Sequence, residues 1–548
     1  MDFDLRGAIQ DPGFTPRARD AEALVALLAE GGDTAAPAER ALLRLGSAAH
    51  APVIAAAVGT GPGRPAIVRL LGRLGATEAD PAIGAALVLA VADGDERVRR
   101  AAAIALGKAR PAEAAEALSA AAGREASASA RRALIEALGK VGGDAARAVI
   151  AAETSRADPE VSRERTRAAL MIDRTASRVE PAAIDAARPA EEPVRVTLRC
   201  RAGLESILID ELPAAIGARV FRDAPAGVRI EGSLAGAPAE LFAARTMLSF
   251  GFPLDPERVG ADGDTIPAIV AALTSPRSLA ILRRWTTGPL RYRLAFRKGG
   301  KRRAAVWRIA EEVARRAPDL VNDPTGSPWQ ADIFEVPAND KVGAPGWVRL
   351  ELVPSIPDPR FTYRTGDVPA ASHPTIAAAL VRAAGPRGDD IVWDPFAGSG
   401  TELCERALTG PYLSLMGSDL DAGALAIAKA NLEAAGARAV TLIQGDSTRL
   451  NPPGPAPTLI VTNPPLGRRV QRGAGLGPML DRFLEHAANV LAPGGRMVWI
   501  SPFPERTRGV AEAHGLTLAR SQEVDMGGFP GELQVFRKPR AGRRTQGA

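Results

Sequence analysis

From residue 20 to 178 the apolar positions recur at helical spacing, and the pattern copies itself. "RRAAAIALGKAR" at 99–110 matches "RRALIEALGKVG" at 131–142, an offset of 32 residues. "IVRLLGRLG" at 67–75 is an earlier copy and "ALLRLGSAA" at 41–49 a worn one. A two-helix unit of that period cannot bury its apolar face alone, so neighbours must stack. The glycine of each Leu-Gly pair is expected to cap a helix C-terminus. At 176–193, "ASRVEPAAIDAARPAEEP" has three prolines and no period, which predicts a linker over 179–193.

The period then changes. "VRVTLRC" (194–200) and "GVRIEG" (227–232) alternate as strands do, around a helix-like "AGLESILIDELPAAIG". "LRYRLAFRKGGKRRAAVWRIAEEVARRAP" predicts a strand, a basic glycine turn and an amphipathic helix, and "GWVRLELVP" another strand. This is an α+β module over 194–366. From 367 to 540 strands alternate with helices: "DIVWDPF" (390–396), "LSLMGSD" (413–419), "VTLIQGD" (440–446), "TLIVTN" (458–463) and "RMVWIS" (496–501). Helices are expected around 400–409, 422–435, 478–491 and 505–513. The alternation predicts a parallel sheet built from βαβ crossovers. "LTLARSQEVDM" and "LQVFRKP" are expected to close it as an antiparallel pair, before a basic tail at 541–548.

Composition narrows the class. The chain has 548 residues, 46% of them apolar, enough for several cores. No 18-residue uncharged apolar run marks a membrane span, and the N-terminal segment lacks the apolar core of a signal peptide. Only Cys200 and Cys404 are present, which suits a reducing cytoplasm. Four histidines, with no H-E-x-x-H and no C-x-x-C, leave no metal site to expect. The net charge of +6 is compatible with a nucleic-acid partner, and equally with a GC-rich coding sequence.

The chemistry gathers at the carboxyl ends of the C-terminal strands, where open α/β sheets bind ligands. The first strand ends in "DPFAGSGT", whose Gly398 and Gly400 permit a tight turn and close backbone approach. The second ends in Asp419, placed for ribose hydroxyls, and the third in Asp446, a candidate acceptor for an adenine amine. A lone G-x-G also fits NAD. Against that, Leu403 stands where a third glycine belongs, and there is no phosphate-cradling lysine. Asp394 would repel a pyrophosphate but suit an ammonium. S-adenosylmethionine (SAM), an adenosine carrying an amino acid, therefore fits better. The fourth strand ends in "TNPPLGRR". The Asn463 amide oxygen and the Pro464 carbonyl can accept the two protons of an exocyclic amine, and the prolines fix where they point.

The set "DPFAGSGT…SDLD…GDS…NPPLGRR" resembles the THUMP-containing class I RNA methyltransferases that modify guanine N2 in tRNA and 23S rRNA. "VRVTLRCRAGLESILIDEL", "YRLAFRKGGKRRAAVWRIAEEV" and "NDPTGSPWQADI…GWVRLELV" resemble the N-terminal module and THUMP domain of that family, and residues 1–178 resemble short HEAT-like repeats. The expected architecture is an N-terminal α-solenoid, a central α+β THUMP-like module and a C-terminal Rossmann-like class I methyltransferase. The resemblance implies that Phe396, Ala397, Gly398, Ser399, Gly400 and Thr401 line the methionine end of SAM, with Asp394 near its ammonium. Asp419 would take the ribose and Asp446 with Ser447 the adenine, while His373 in "SHPT" is a further candidate for SAM or RNA contact. Asn463, Pro464, Pro465 and Leu466 would face the target amine. The family carries an aromatic where Leu466 stands.

RNA phosphates are expected at the basic turn Arg297, Lys298, Lys301, Arg302 and Arg303, and at Arg468, Arg469 and Arg472 beside the pocket. The implied activity is SAM-dependent methylation of an exocyclic base amine, guanine N2 in tRNA, in the cytoplasm. Adenine-N6 or rRNA methylation, and a catalytically degenerate RNA-binding scaffold, are the alternatives. The repeats offer a surface for a protein partner.

Overall fold

The computed structural model describes residues 4–153, 158–223, 227–298, 300, 302–338, 346–369, 371–466 and 475–540. The chain divides into two compact units, Met1–Ala183 with Pro256–Leu350, and Ile184–Asp255 with Glu351–Ala548.

In the first unit a single helical turn, α1 (Leu5–Ala8), precedes α2 (Ala21–Glu30), α3 (Ala35–Leu45), α4 (His50–Val58), α5 (Arg64–Thr77) and α6 (Pro81–Ala90). The series continues with α7 (Glu96–Ala109), α8 (Ala114–Ala122), α9 (Ala128–Val141), α10 (Asp144–Ala152) and α11 (Pro159–Ser177). Helices α5, α7, α9 and α11 pack side by side as one layer, and α4, α6, α8 and α10 cover its other side. Leu70, Leu71, Leu106, Leu134 and Leu138 fill the space between the layers. The apolar stretch Gly32–Val58 has the length of a membrane span. It is nevertheless broken at Gly46, whose φ is 59°, and its Leu42, Val53 and Ala57 are buried in the array.

The expectation that the Leu-Gly glycines cap helices is corrected. Gly72, Gly107 and Gly139 lie inside α5, α7 and α9 and are buried. A Cβ on them would come within 2.5, 3.1 and 2.7 Å of the Cα atoms of Ala105, Ala137 and Ala168 in the next helix. The missing side chain lets the backbones approach. That gain offsets the ~1 kcal/mol a mid-helix glycine costs. Gly46, which follows α3, does sit at a helix end.

The same unit holds the parallel strands Leu290–Phe296 and Trp329–Val336, with Leu320–Asn322 beside the first, and the helix Arg303–Arg316. Arg174 of α11 donates from Nε to the Asn322 carbonyl at 2.7 Å and lies over the Trp307 ring, which joins the array to these strands.

In the second unit Val194–Arg199 pairs antiparallel with Gly227–Leu234 and with Ser249–Pro253. The strand Arg219–Asp223, which the sequence pattern does not predict, extends this group by pairing with Gly227–Leu234. Residues 391–537 form a seven-stranded sheet of β1 (Ile391–Asp394), β2 (Ser414–Asp419), β3 (Val440–Gln444), β4 (Leu459–Thr462), β5 (Arg496–Ser501), β6 (Thr517–Asp525) and β7 (Pro530–Arg537). The strand order is 3-2-1-4-5-7-6; β1 to β5 are parallel, while β7 is antiparallel to β5 and to β6. Alternate residues of β1 point to opposite faces. Val392 joins the core with Leu403 and Val461, and Trp393 joins the other with Phe483 and Trp499. Just before β1, Asp390 accepts both Nη atoms of Arg496 (2.8 and 2.9 Å) and Nη2 of Arg406 (3.0 Å), all three residues being buried.

Candidate active site

The loop after β1 is held from three sides. Gly398 and Gly400 have φ of 49° and 76°, a region an L side chain adopts at a cost. The Gly398 amide donates to Asp419 Oδ2 at 2.9 Å, so the end of β2 fixes the turn. Asn431, fully buried on the helix Ala422–Ala434, accepts from the Thr365 and Gly366 amides (2.9 and 3.1 Å). It also donates to the carbonyls of Gly366 and Ser399, each at 2.9 Å. The Ala397 amide donates to the Ser418 carbonyl, and the hydroxyls of Ser399 and Thr401 meet at 3.1 Å. The Phe396 ring packs edge-on to Phe483.

Asp394 is buried. Its Oδ1 accepts from the Thr462 hydroxyl at 2.6 Å and from the Phe396 amide at 3.1 Å, while Oδ2 has no partner among the described residues. Burial, then the nearby Glu402 carboxylate, push its pKa well up. Glu402, one residue into the helix Thr401–Leu408, is also buried, and burial raises it to about 7. Next to Thr462 comes Asn463. Its Nδ2 donates to the Ser372 hydroxyl at 2.9 Å, and Ser372 also bonds Glu402, while Asn463 Oδ1 is buried with no partner among the described residues. A buried, unpartnered acceptor is costly unless something fills it. Two lie at the ends of the adjacent strands β1 and β4, and Glu402 Oε1 is a third nearby.

Pro464 is buried, and Leu466 packs against the apolar cluster on the sheet. Asp446 is exposed and accepts from the Thr448 amide and hydroxyl, which lowers its pKa. The Ser447 hydroxyl is buried and donates to the Pro395 carbonyl, so it braces the loop. His373 caps the helix Pro374–Ala384: its Nδ1 meets the Thr375 hydroxyl at 2.8 Å. Burial, then Arg201 and Arg364, lower its pKa. A cavity of about 460 Å³ opens beside it, lined also by Leu248, Arg360, Phe361 and Arg364.

The structure thus gathers Asp394, Phe396–Thr401, Asp419 and Asn463–Leu466 at one end of the sheet. In the first unit, Arg297 pairs with Asp332, and Arg302 with Glu335 at 2.7 Å, whereas Lys298 and Arg303 are exposed. Lys301, Arg468, Arg469, Arg472 and the tail 541–548 lie outside the described residues. Ser372, Glu402 and Asn431 escape the sequence pattern. The "SHPT" stretch draws attention to His373, although its neighbour Ser372 is what reaches Asn463.

A seven-stranded sheet of this order, with a glycine loop after β1 and Asn-Pro-Pro after β4, defines a methyltransferase domain. Residues 362–529 match the RMKL-like methyltransferase domain family UPF0020, and residues 84–173 match HEAT repeats. The chain is similar to the tRNA (guanine(6)-N2)-methyltransferase of Thermus thermophilus, with 34% identity over 166 residues, 30% of this chain and 49% of that one. It is 33% identical over 125 residues to the bovine U6 snRNA (guanine-N(2))-methyltransferase THUMPD2, covering 23% of this chain and 24% of that one. The chain spans about half or less of the length of these curated relatives. Among solved structures, TrmN from Thermus thermophilus superposes with a TM-score of 0.50 at 24% identity, covering 63% of this chain and 99% of that one. SMU.472, complexed with SAH, does so with a TM-score of 0.50 at 15% identity, covering 64% of this chain and 100% of that one. These two likenesses define the fold.

Proposed function

We propose that the chain is a SAM-dependent RNA methyltransferase that acts on an exocyclic base amine, guanine N2 in tRNA. The observation that carries this is the pair of unpartnered buried acceptors, Asp394 Oδ2 and Asn463 Oδ1. One suits the ammonium of SAM and the other a base amine. The guanine-N2 specificity of the relatives that match the same domain supports the choice of amine. We further assign residues 1–178 to a HEAT-like solenoid, 194–366 to a THUMP-containing RNA-binding module after the linker 179–193, and 367–540 to catalysis. The free cysteines Cys200 and Cys404 support a cytoplasmic setting.

SAM supplies a methyl group on a sulfonium, whose neutral thioether is an intrinsically good leaving group. The work left to the protein is positioning and electrostatics. The Gly398–Gly400 loop would hold the methionine part and Asp394 the ammonium, and Asp419, which accepts from the Gly398 and Asp421 amides, would receive the ribose through its remaining lone pairs. Asn463 is oriented by Ser372, so its amide oxygen can accept a hydrogen bond from one N–H of the amine, and the Pro464 carbonyl can accept one from the other; the proton that nitrogen sheds on methylation leaves to solvent. Two acceptors on one NH2 hold its nitrogen lone pair away from ring conjugation. Guanine N2 lies within a helix or stack, so the base must be extruded first. Leu466 gives that base apolar contact without ring stacking.

The test is transfer of tritiated methyl from SAM to unfractionated tRNA and rRNA, followed by nucleoside mass spectrometry. N2-methylguanosine in tRNA is the expected product. N6-methyladenosine, label confined to rRNA, or label that Asn463→Ala leaves intact would overturn the assignment.

A further inference from the structure

The repeat array is charged unequally on its two layers. Helices α5, α7, α9 and α11 carry fourteen Arg and Lys against five Asp and Glu. Helices α4, α6, α8 and α10 carry one Arg and two acids. An arginine-rich composition would not by itself sort the charges this way.

The basic residues also keep register. Gly72, Gly107 and Gly139 each pack on the next helix, so the residue after each occupies the same place in its repeat: Arg73, Lys108 and Lys140. The equivalent place in α11 is Met171. All four line one groove of about 840 Å³, together with Arg110 at the end of α7. Residues four and eight positions earlier share that helix face. They add Arg69 and Arg167 one turn away, and Arg100, Arg132 and Arg163 two turns away. Acids answer some of these charges: Glu39 pairs with Arg73, Glu136 with Lys140, Glu160 with Arg132 and Glu164 with Arg167. Arg69, Arg100 and Lys108 are exposed and form no ion pair among the described residues.

We infer that the α5–α7–α9–α11 face of the array is a docking surface for the sugar-phosphate backbone of RNA. Cations repeated once per helix, on helices packed roughly 8–10 Å apart, form a ladder matched to a regularly charged polyanion. Nothing in the groove stacks on bases: among the described residues its apolar lining is Leu43, Ala76 and Met171, with no aromatic ring. Recognition here is of charge and shape, so this surface contributes affinity while sequence choice rests elsewhere. The choice of RNA over another polyanion rests on the methyltransferase assignment above.

The test uses the full chain and end-labelled unfractionated tRNA, with binding followed by fluorescence anisotropy from 50 to 200 mM salt. The variant is Arg69→Gln/Arg100→Gln/Lys108→Gln, checked by an unchanged far-UV spectrum and melting curve. Loss of three phosphate contacts should flatten the slope of log K against log salt by about 2–3 and weaken binding at least about tenfold at the lower salt. With SAM present, KM for tRNA should rise while kcat stays. An unchanged slope with affinity within about twofold of wild type overturns the inference, even if methyl transfer proceeds. Wild-type binding that the variant weakens, with no methyl transfer to tRNA, would instead overturn the enzymatic assignment and leave this one standing.

Discussion

Replacing Glu402 with glutamine should make the second unit more stable at neutral pH and less so in relative terms as the pH falls. Glu402 is 3% exposed, faces Asp394 at 0%, and has Asp419 and Glu405 as further like charges near the pair. Ser372 and Arg364 act in the opposite sense, and burial outweighs both. The folded-state value of about 7 stands above the ordinary 4.5. Between those values the folded chain binds more protons than the unfolded one, so stability falls as pH rises across that window and levels off above it. An offset of that size amounts to about 3 kcal/mol. For a unit of this size it moves the melting temperature by roughly 6–12 °C. Glutamine keeps a partner for Ser372, carries no charge, and removes one cause of the raised Asp394. The assay is thermal melting of both proteins from pH 4.5 to 8. The variant should melt higher at pH 8, by up to that amount, and the difference should close towards pH 4.5. A difference that does not change with pH, or a less stable variant at pH 8, would refute the electrostatic account of this pocket. Calorimetry adds a second reading under the proposed function: the wild type should bind SAM more tightly as pH rises through 7, because the ammonium needs an ionised partner, and E402Q should show a shallower dependence.

Four further outcomes follow from the same geometry. Asp390→Ala leaves the buried Arg406 and Arg496 without their shared carboxylate and should cost about 3–5 kcal/mol in chemical denaturation. Asn431→Ala frees the buried amides and carbonyls of the loop after β1, with a cost of roughly 1–3 kcal/mol and weaker SAM binding by calorimetry. Gly139→Val forces a side chain towards Ala168, whose Cα would lie 2.7 Å from the new Cβ, and should destabilise the repeat array by about 1–3 kcal/mol in chemical denaturation. Leu466→Phe restores a ring beside Asn-Pro-Pro. If a base stacks there, KM for tRNA should fall by roughly 5- to 100-fold, and an unchanged KM would show that the base does not meet this position.

The C-terminal domain was legible because its candidate ligand groups fall at strand ends, and strands announce themselves by runs such as LIVT. Each of the five parallel strands lies within two residues of its observed span, the last antiparallel strand starts three residues earlier than expected, and Asp394, Asp419 and Asn463 fall at one end of the sheet. What stayed hidden has no local signal. Ser372 reaches Asn463 from 91 residues away, and Asn431 reaches Gly366 from 65. Glu402 follows the glycine loop as any helix-starting acid would, and only its burial marks it out. Asp446 and Ser447 are legible in sequence as positions only. Their bonds are not: the serine hydroxyl donates to the Pro395 carbonyl, and the exposed aspartate accepts from its own turn.

The repeat glycines show the opposite failure, in which the local rule was applied and the tertiary one won. Glycine near the end of a helical pattern usually caps it, so Leu-Gly suggested a terminus. The neighbouring sequence already held the competing answer. Two residues before Gly107 and Gly139 stand Ala105 and Ala137, and Ala168 keeps that place in α11. Each glycine packs on the alanine of the following repeat, a small-on-small contact that only a stacked array can make. That contact also explains the register of the charges. By locking each helix to the next at one fixed place, it brings Arg73, Lys108 and Lys140 into line. A substitution that opens the Gly–Ala seam should therefore weaken RNA binding along with stability, whereas removing the exposed cations should weaken binding alone. Comparing Gly139→Val with the triple glutamine variant in the same anisotropy and melting assays separates the two effects. A Gly139→Val chain that melts early yet keeps the full salt slope would break the proposed link between packing and charge alignment.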